Sequence, residues 1–357
     1  MKKERKVLPG VIFGILFLII AVLAGAYFMF RGQLAASGTI KKLDTGLYSM
    51  EYKGDYGFDD FLEQGGAASD EEVGVYLSEF LSHGFYSMEP ESKEQGCSTI
   101  QTESEGGAYL FGRNYDWKDC TIMIVETKPE NGYASVSTCN MDFLGFGEDY
   151  LPEGFLNKML ALSAVYVPLD GMNEMGLCVA DLMIDTDENI CQDTGKSSLT
   201  TTTAIRLLLD KAATVDEAVD LLSQYDMHSS ADMMHHLAIA DADGNSVVIE
   251  YINNEMQVTP SHVVTNFYLA QGEKYGIGSE QSKRRYKILE QCLTAGKCMN
   301  EKQLTSALES VSQKAMGAEY EMTVWSIVYN QREKSVDYYF RENYEKSFHF
   351  DVMSAVD

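Results

Sequence analysis

Sulfur and imidazole are the side-chain groups best suited to act as nucleophile, base or metal ligand, and this chain carries seven cysteines and six histidines. The cysteines are Cys97, Cys120, Cys139, Cys178, Cys191, Cys292 and Cys298. They form no Cys-x-x-Cys pair and no cysteine/histidine spacing of the kind that holds zinc, so metal ligation is not expected. An odd count leaves at least one thiol free if the others pair, and Cys178, inside an apolar run, reads as a core residue. His235 and His236 adjoin near Asp232, but neighbours on a strand point to opposite faces and a third ligand is missing. Gly195-Lys196-Ser197 ends like a phosphate-binding loop, yet the position of its earlier glycine holds Ile190. A papain-like cysteine needs a Cys-Gly-Ser-Cys-Trp context that this chain lacks, although His262 lies downstream.

Cys97 has the most informative surroundings. Gly96-Cys97-Ser98-Thr99-Ile100 is followed by Gly106-Gly107 and then by Ala108-Tyr109-Leu110-Phe111-Gly112-Arg113-Asn114-Tyr115-Asp116-Trp117. Read bare, this is a strand, a glycine turn and a second strand. A thiol is only a few per cent ionised near neutrality and needs a base close by. An α-amine titrates at about 7.7 to 8.0, so the nucleophile's own amine can be that base once it is freed. Cutting the Gly96–Cys97 bond would therefore create nucleophile and base together, and the small Gly96 lets a neighbouring group approach the bond.

The elements that must hold such a site read as strands with helices grouped in pairs. Candidate strands are 108–112, 121–126, 177–184, 236–240, 246–251, 262–266, 323–329 and 335–340. Helical patterns cover 201–212, 214–224 opened by a Thr214/Glu217 capping box, 281–293 and 302–312. Hairpin-type strands with paired helices predict a layered α+β domain rather than a doubly wound parallel sheet.

Ahead of Cys97 the texture differs. Val11 to Phe30 is an uncharged apolar run long enough for a transmembrane helix. Lys2, Lys3, Arg5 and Lys6 precede it and Arg31 stands almost alone after it, which predicts a cytoplasmic N-terminus and an extracytoplasmic remainder. The expected organisation is a cytoplasmic tail over 1–10, a membrane helix over 11–30, a spacer or pro-segment over 31–96 and a catalytic domain over 97–357. The spacer contains one amphipathic helical pattern, Asp70 to His83. The formal charge of −26 over 357 residues, with no basic cluster beyond the N-terminus, excludes nucleic acid as a natural partner. An apolar share of 45% excludes wholesale disorder.

Taken in order along the chain, these residues resemble the choloylglycine hydrolase and linear amide C-N hydrolase family, whose mature chains begin at the cysteine. Cys97-Ser98-Thr99 followed by Gly112-Arg113-Asn114-Tyr115-Asp116-Trp117 is similar to the family's opening. Asp170 to Leu177 resembles its Asn-Glu-x-Gly-Leu segment, and His236 to Tyr251 a strand pair carrying Asp-x-x-Gly and a terminal Glu-Tyr. Val263 to Phe267 is similar to its Thr-Asn strand, and Ser282 to Tyr286 to its Ser-x-x-Arg helix start.

The resemblance implies a four-layer αββα N-terminal-nucleophile fold and an amidase that uses no metal or organic cofactor. It also implies roles. Arg113 would favour the ionised thiol, and Asp116 would orient the freed amine. Asn173 would donate to the oxyanion, Asn266 would brace the amine or the intermediate, and Arg285 would tie the cluster together. Arg285 is preferred over Arg284 only by the Ser-x-x-Arg spacing. Because residues 113 and 116 alternate on a regular strand, a bend or bulge after Asn114 is expected.

Two features depart from the family's bile-salt members. A long anchored segment precedes the cysteine, as in relatives similar to acid ceramidase and N-acylethanolamine amidase, and the interval from Asn266 to Arg285 is short. The expected substrate is a small-molecule linear amide with an apolar acyl group. An acyltransferase on the same fold, or an unprocessed surface-displayed binding domain, are the competing expectations.

Overall fold

The computed structural model describes residues 7–82, 96–147, 150–296, 298–314 and 322–352. The basic residues ahead of the apolar run, and His83 at the end of the amphipathic pattern, lie outside them.

Among the described residues seventeen strands, β1 to β17 in chain order, form two large sheets and a small one. The nine-stranded sheet runs, edge to edge, β1 (Lys41–Asp44), β2 (Leu47–Lys53), β5 (Ile122–Lys128), β6 (Ser135–Asn140), β7 (Asp170–Asn173), β8 (Cys178–Ile184), β11 (Met234–Ala240), β12 (Ser246–Ile252) and β13 (Glu255–Pro260). The six-stranded sheet runs β14 (Val263–Thr265), β3 (Gly96–Glu103), β4 (Tyr109–Trp117), β15 (Met322–Asn330), β16 (Ser335–Phe340) and β17 (Ser347–Asp351). β9 (Ser198–Thr200) pairs in parallel with β10 (Asp226–His228).

The helices are α1 (Val7–Thr39), α2 (Phe58–Glu63), α3 (Asp70–Ser82), α4 (Phe155–Leu160), α5 (Thr201–Lys211), α6 (Val215–Leu222), α7 (Glu280–Ala295) and α8 (Glu301–Ser310). The helices α5 to α8 each begin at a side chain that satisfies an otherwise orphaned N–H. Thr200 caps α5, Thr214 caps α6, Ser279 caps α7 and Asn300 caps α8.

Alternation along the strands builds the layers. In the nine-stranded sheet Met123, Val125, Val179, Leu237 and Ile239 face the helical layer that contains α5, whereas Ile122, Ile124, Ala180, Leu182 and Ala238 face the other sheet. Both faces are buried, so these strands read as continuous apolar runs. In the six-stranded sheet Phe111, Tyr115, Trp325 and Tyr329 point between the sheets, and Ile100, Leu110 and Val328 point out to α7 and α8. The result is the expected α+β arrangement, with helices, two facing sheets and helices again.

The described part of the stretch expected to be a spacer, residues 31–82, packs into this architecture. β2 pairs in parallel with β5 along its whole length, with Leu47 opposite Ile122 and Lys53 opposite Lys128. Tyr48, Met50 and Tyr52 enter the helix-side core. The Tyr56 hydroxyl bonds both carboxylate oxygens of Asp210 on α5 at 2.7 Å. Residues 31–53 thus reach across the helical layer and the sheet instead of leading away from them.

The expected membrane helix falls within α1, which bends by 51° between Phe13–Val22 and Tyr27–Thr39. Gly25 lies in the break, where a missing side chain eases a kink. Among the described residues no single helix is long and apolar enough to cross a membrane, though the two halves together have the length and composition.

Candidate active site

Cys97 sits second in β3, fully buried, opposite Tyr115 in an unbroken β3–β4 register that runs from Gly96↔Asp116 to Glu103↔Tyr109. Its Sγ points between the sheets, where Arg113 Nη2 approaches to 3.6 Å. Arg113 is itself fixed by the facing sheet. Its Nη1 donates to the Asp181 carbonyl at 2.6 Å, and its Nε lies 2.8 Å from Asp170 Oδ2. Asp170 also accepts from Trp325 Nε1 and the Tyr329 hydroxyl, both at 3.0 Å, so its position is set by three neighbours.

The backbone of Cys97 is held from the opposite side. Its N–H donates to Asn266 Oδ1 at 2.7 Å, and its carbonyl accepts from Arg285 Nη1, also at 2.7 Å. Arg285 Nη2 donates to the same Asn266 oxygen at 2.8 Å, while Nη1 is 3.1 Å from Asp116 Oδ2. Thr323 Oγ1 and Gln313 Nε2 complete the Asp116 shell at 2.6 and 3.1 Å. Asn266 Nδ2 donates to the Met183 carbonyl at 2.7 Å, which ties the cluster back to β8.

Local sequence explains this convergence. Ser282 Oγ donates to Thr265 Oγ1 at 2.9 Å and pins the first turn of α7 to β14, one residue before Asn266. Ser282, Arg285 and Leu289 are the buried residues of α7 and follow its helical period, whereas Arg284 is exposed. The geometry therefore brings Arg285, and not Arg284, to the cysteine.

Two expectations need correction. No bulge interrupts β4 beside Asn114. The irregularity lies in its other neighbour, between Thr323 and Trp325 of β15. None is needed, because Arg113 reaches the thiol from one face while Asp116 acts with Arg285 on the other. Asn173, expected as the oxyanion donor, is not among the groups around Cys97. Its Nδ2 donates to the Leu209 and Ala212 carbonyls at 3.1 and 2.7 Å, which uses both N–H bonds at the end of α5. Its Oδ1 accepts from the Met175 and Leu177 amides, each at 3.1 Å, and closes the turn into β8.

Burial pushes the Cys97 pKa up to about 12, with Asp116 and Asp181 adding to the rise and Arg113 and Arg285 opposing it. The adjoining histidines do part company. His236 meets Glu250 at 3.2 Å, while His235 meets Asp181 at 2.8 Å. Asp181 was not singled out from the sequence and His235 was weighed only as a metal ligand, since their pairing depends on the β8–β11 register, with Met183 opposite His235 and Asp181 opposite Leu237.

The layered arrangement of helices around two facing sheets is a fold of the N-terminal-nucleophile-hydrolase-like class. Within that class the chain belongs to the linear amide C-N hydrolases, choloylglycine hydrolase family, whose sequence model matches residues 97–306. A cysteine-to-alanine mutant of conjugated bile acid hydrolase from Clostridium perfringens aligns with a TM-score of 0.53 at 17% identity, over 71% of this chain and 92% of that one. An arginine-to-leucine variant of the same enzyme gives 0.52 at 15%, with the same 71% and 92% coverage. Penicillin V acylase from Agrobacterium tumefaciens aligns at 0.46 and 19% identity, over 71% and 85%. At such identities the two bile acid hydrolase alignments speak for the fold alone. No curated protein sequence matches the chain.

Proposed function

We propose that Cys97 is the nucleophile of an amidase matured by cleavage of the Gly96–Cys97 bond. One observation carries this reading. The Cys97 N–H already rests on Asn266 Oδ1 at 2.7 Å while its own Sγ faces Arg113. Cleavage turns that N–H into an amine without moving it and leaves its lone pair beside the thiol. The amine takes the thiol proton, and Arg113 favours the resulting thiolate. Thiolate attack on a linear amide gives a tetrahedral oxyanion, for which Arg113 Nη2 is a donor beside Sγ. Collapse forms a thioester on Cys97 and expels the amine, which leaves with the proton. Water then hydrolyses the thioester. Asp116 and Arg285 act as an ion pair that holds the Cys97 carbonyl and the Asn266 oxygen in place.

β2 and α3 keep the segment before Cys97 in the fold after cleavage, because strand pairing and core burial do not require the cut bond. The apolar residues of α1, among them Phe13, Phe17 and Phe28, are exposed, which favours a lipid-embedded N-terminal half with the catalytic part on the extracytoplasmic side. Membrane fractionation of the processed protein tests that placement, and recovery of both fragments in the soluble fraction would reject it.

The decisive experiment is mass spectrometry of the purified chain together with turnover of a panel of N-acyl amides, penicillin V and conjugated bile salts. A new N-terminus at Cys97, and loss of both cleavage and turnover in Cys97→Ala, are expected. An active Cys97→Ala variant would end the proposal. Adding an acceptor amine separates hydrolysis from acyl transfer, since a transferase would yield acyl-amine as the main product.

A further inference from the structure

A cavity of about 560 Å³ lies between α3, the turn Met141–Leu144 and Asp181 in the middle of β8, in the size range of small-molecule sites. Val73, Leu77, Phe143 and Leu169 give it an apolar side. Asp70, Asp181, His228 and His235 give it a polar one, with the exposed Glu71 and Asp232 also on its wall. Cys97 does not line it. Asp181 belongs to both sites, because its carbonyl holds Arg113 at 2.6 Å and its carboxylate faces His235 Nδ1 at 2.8 and 3.0 Å. The cavity is therefore joined to the thiol through Asp181 and Arg113.

Its charge is one-sided, since among the described residues no lysine or arginine lines it. His235 Nε2 faces the Ser230 carbonyl at 2.9 Å and must carry a proton, while Nδ1 faces a carboxylate. Burial opposes a charged imidazole, but Asp181 and the Ser230 carbonyl outweigh it and raise the His235 pKa. His235 thus offsets Asp181. Asp70, Glu71 and Asp232 have no lysine or arginine beside them on the cavity wall among the described residues.

A second, independent sign of a ligand is His228. It is 9% exposed, it lines the same cavity, and its Nε2 has no hydrogen-bond partner among the described residues. A buried nitrogen left in this way is open to a bond from a ligand atom or a water.

We propose that this cavity takes the arm of a linear amide that bears a cationic nitrogen on a short hydrocarbon stem. The ammonium meets Asp70 and the rim carboxylates, a polar atom meets His228 Nε2, and the stem lies against Val73, Leu77 and Phe143. Amides whose arm ends in a carboxylate are rejected by like charge. The selectivity is supplied by α3, which precedes the cleavage point. As a substrate assignment this rests on the reading of Cys97 as nucleophile; as a binding site it does not.

The test uses the full chain as Cys97→Ala, which keeps the bond before residue 97 intact, titrated by calorimetry with hexylammonium and with hexanoate. Hexylammonium is expected to bind at least about tenfold more tightly, and adding Asp70→Asn or Glu71→Gln should shrink that ratio. Equal affinities, tighter hexanoate, no saturable binding of either, or a ratio unmoved by both substitutions overturns the site. A parallel assay gives the processed wild-type chain matched amides ending in ammonium or carboxylate. Faster turnover of the carboxylate member refutes the substrate class while leaving the nucleophile in place. Ammonium binding with no turnover of any amide keeps the site and removes the nucleophile.

Discussion

The side-chain oxygen of Asn266 receives the backbone N–H of Cys97 at 2.7 Å and shares itself with Arg285 Nη2 at 2.8 Å. An oxygen with two donors, one of them cationic, has a fixed direction, and under the proposed cleavage an amine released at Cys97 would inherit it. Asn266→Ala removes the anchor but leaves the thiol and Arg113 untouched. Single-turnover rates of this variant should fall by about 10²-fold, in line with loss of a positioned base. A variant that retains wild-type rates would show that the amine is oriented by something else.

Arg285 and Arg284 are neighbours in sequence and opposites in environment. Arg285 is buried against a fully buried Asp116, while Arg284 faces solvent. Removing one partner of a buried pair strands the other charge at a cost of roughly 3–5 kcal/mol. Arg285→Met should therefore lower unfolding free energy by about that amount. Arg284→Met should change it by about 0.5 kcal/mol or less. Urea titration of the two variants separates them directly.

Much of this arrangement is legible in the sequence where chemistry and period agree. The strands over 177–184 and 323–329 announce themselves through apolar and β-branched residues, and Ser282, Arg285 and Leu289 share a helical face. β2 was missed although Tyr48, Met50 and Tyr52 alternate as a strand should, because Lys41, Lys42, Asp44, Glu51 and Lys53 make the stretch read as polar. Its partner β5 lies about seventy residues on in a parallel pairing, which leaves no local turn to signal it. Asn173 illustrates the opposite failure. Its motif was read from the sequence, but the direction of an amide depends on which carbonyls the end of α5 presents, and that is a tertiary fact.

The buried pair of His235 and Asp181 makes stability depend on pH in a definite direction. In the unfolded chain this imidazole titrates at about 6.5, and in the fold its pKa is higher because Asp181 and the Ser230 carbonyl outweigh the opposing effect of burial. The folded state thus holds its proton longer. The stabilisation is complete below about pH 6.5 and is lost as pH rises through the folded value. The wild-type advantage over His235→Gln should be larger at about pH 5.5 than at about pH 9, as measured by urea unfolding. An advantage that grows with pH would mean that the pair is not charged in the way the hydrogen bonds imply.

Asn173 offers a test that separates architecture from chemistry. All of its amide hydrogen bonds are internal, two donated to carbonyls at the end of α5 and two accepted from the turn before β8. Asn173→Ala orphans two buried carbonyls and two amides, and an unsatisfied buried group costs about 1–3 kcal/mol. The variant should lose at least about 2 kcal/mol of stability. Its turnover per folded site should stay within about threefold of wild type, because an oxyanion donor would instead account for about 10²–10³ in rate. The folded fraction read from the urea unfolding curve removes the effect of unfolded protein. If turnover per folded molecule fell a hundredfold with stability intact, the Asn173 amide would have to swing away from α5 during the reaction, and the intact-chain geometry around Cys97 would not be the one in which the amide is cut.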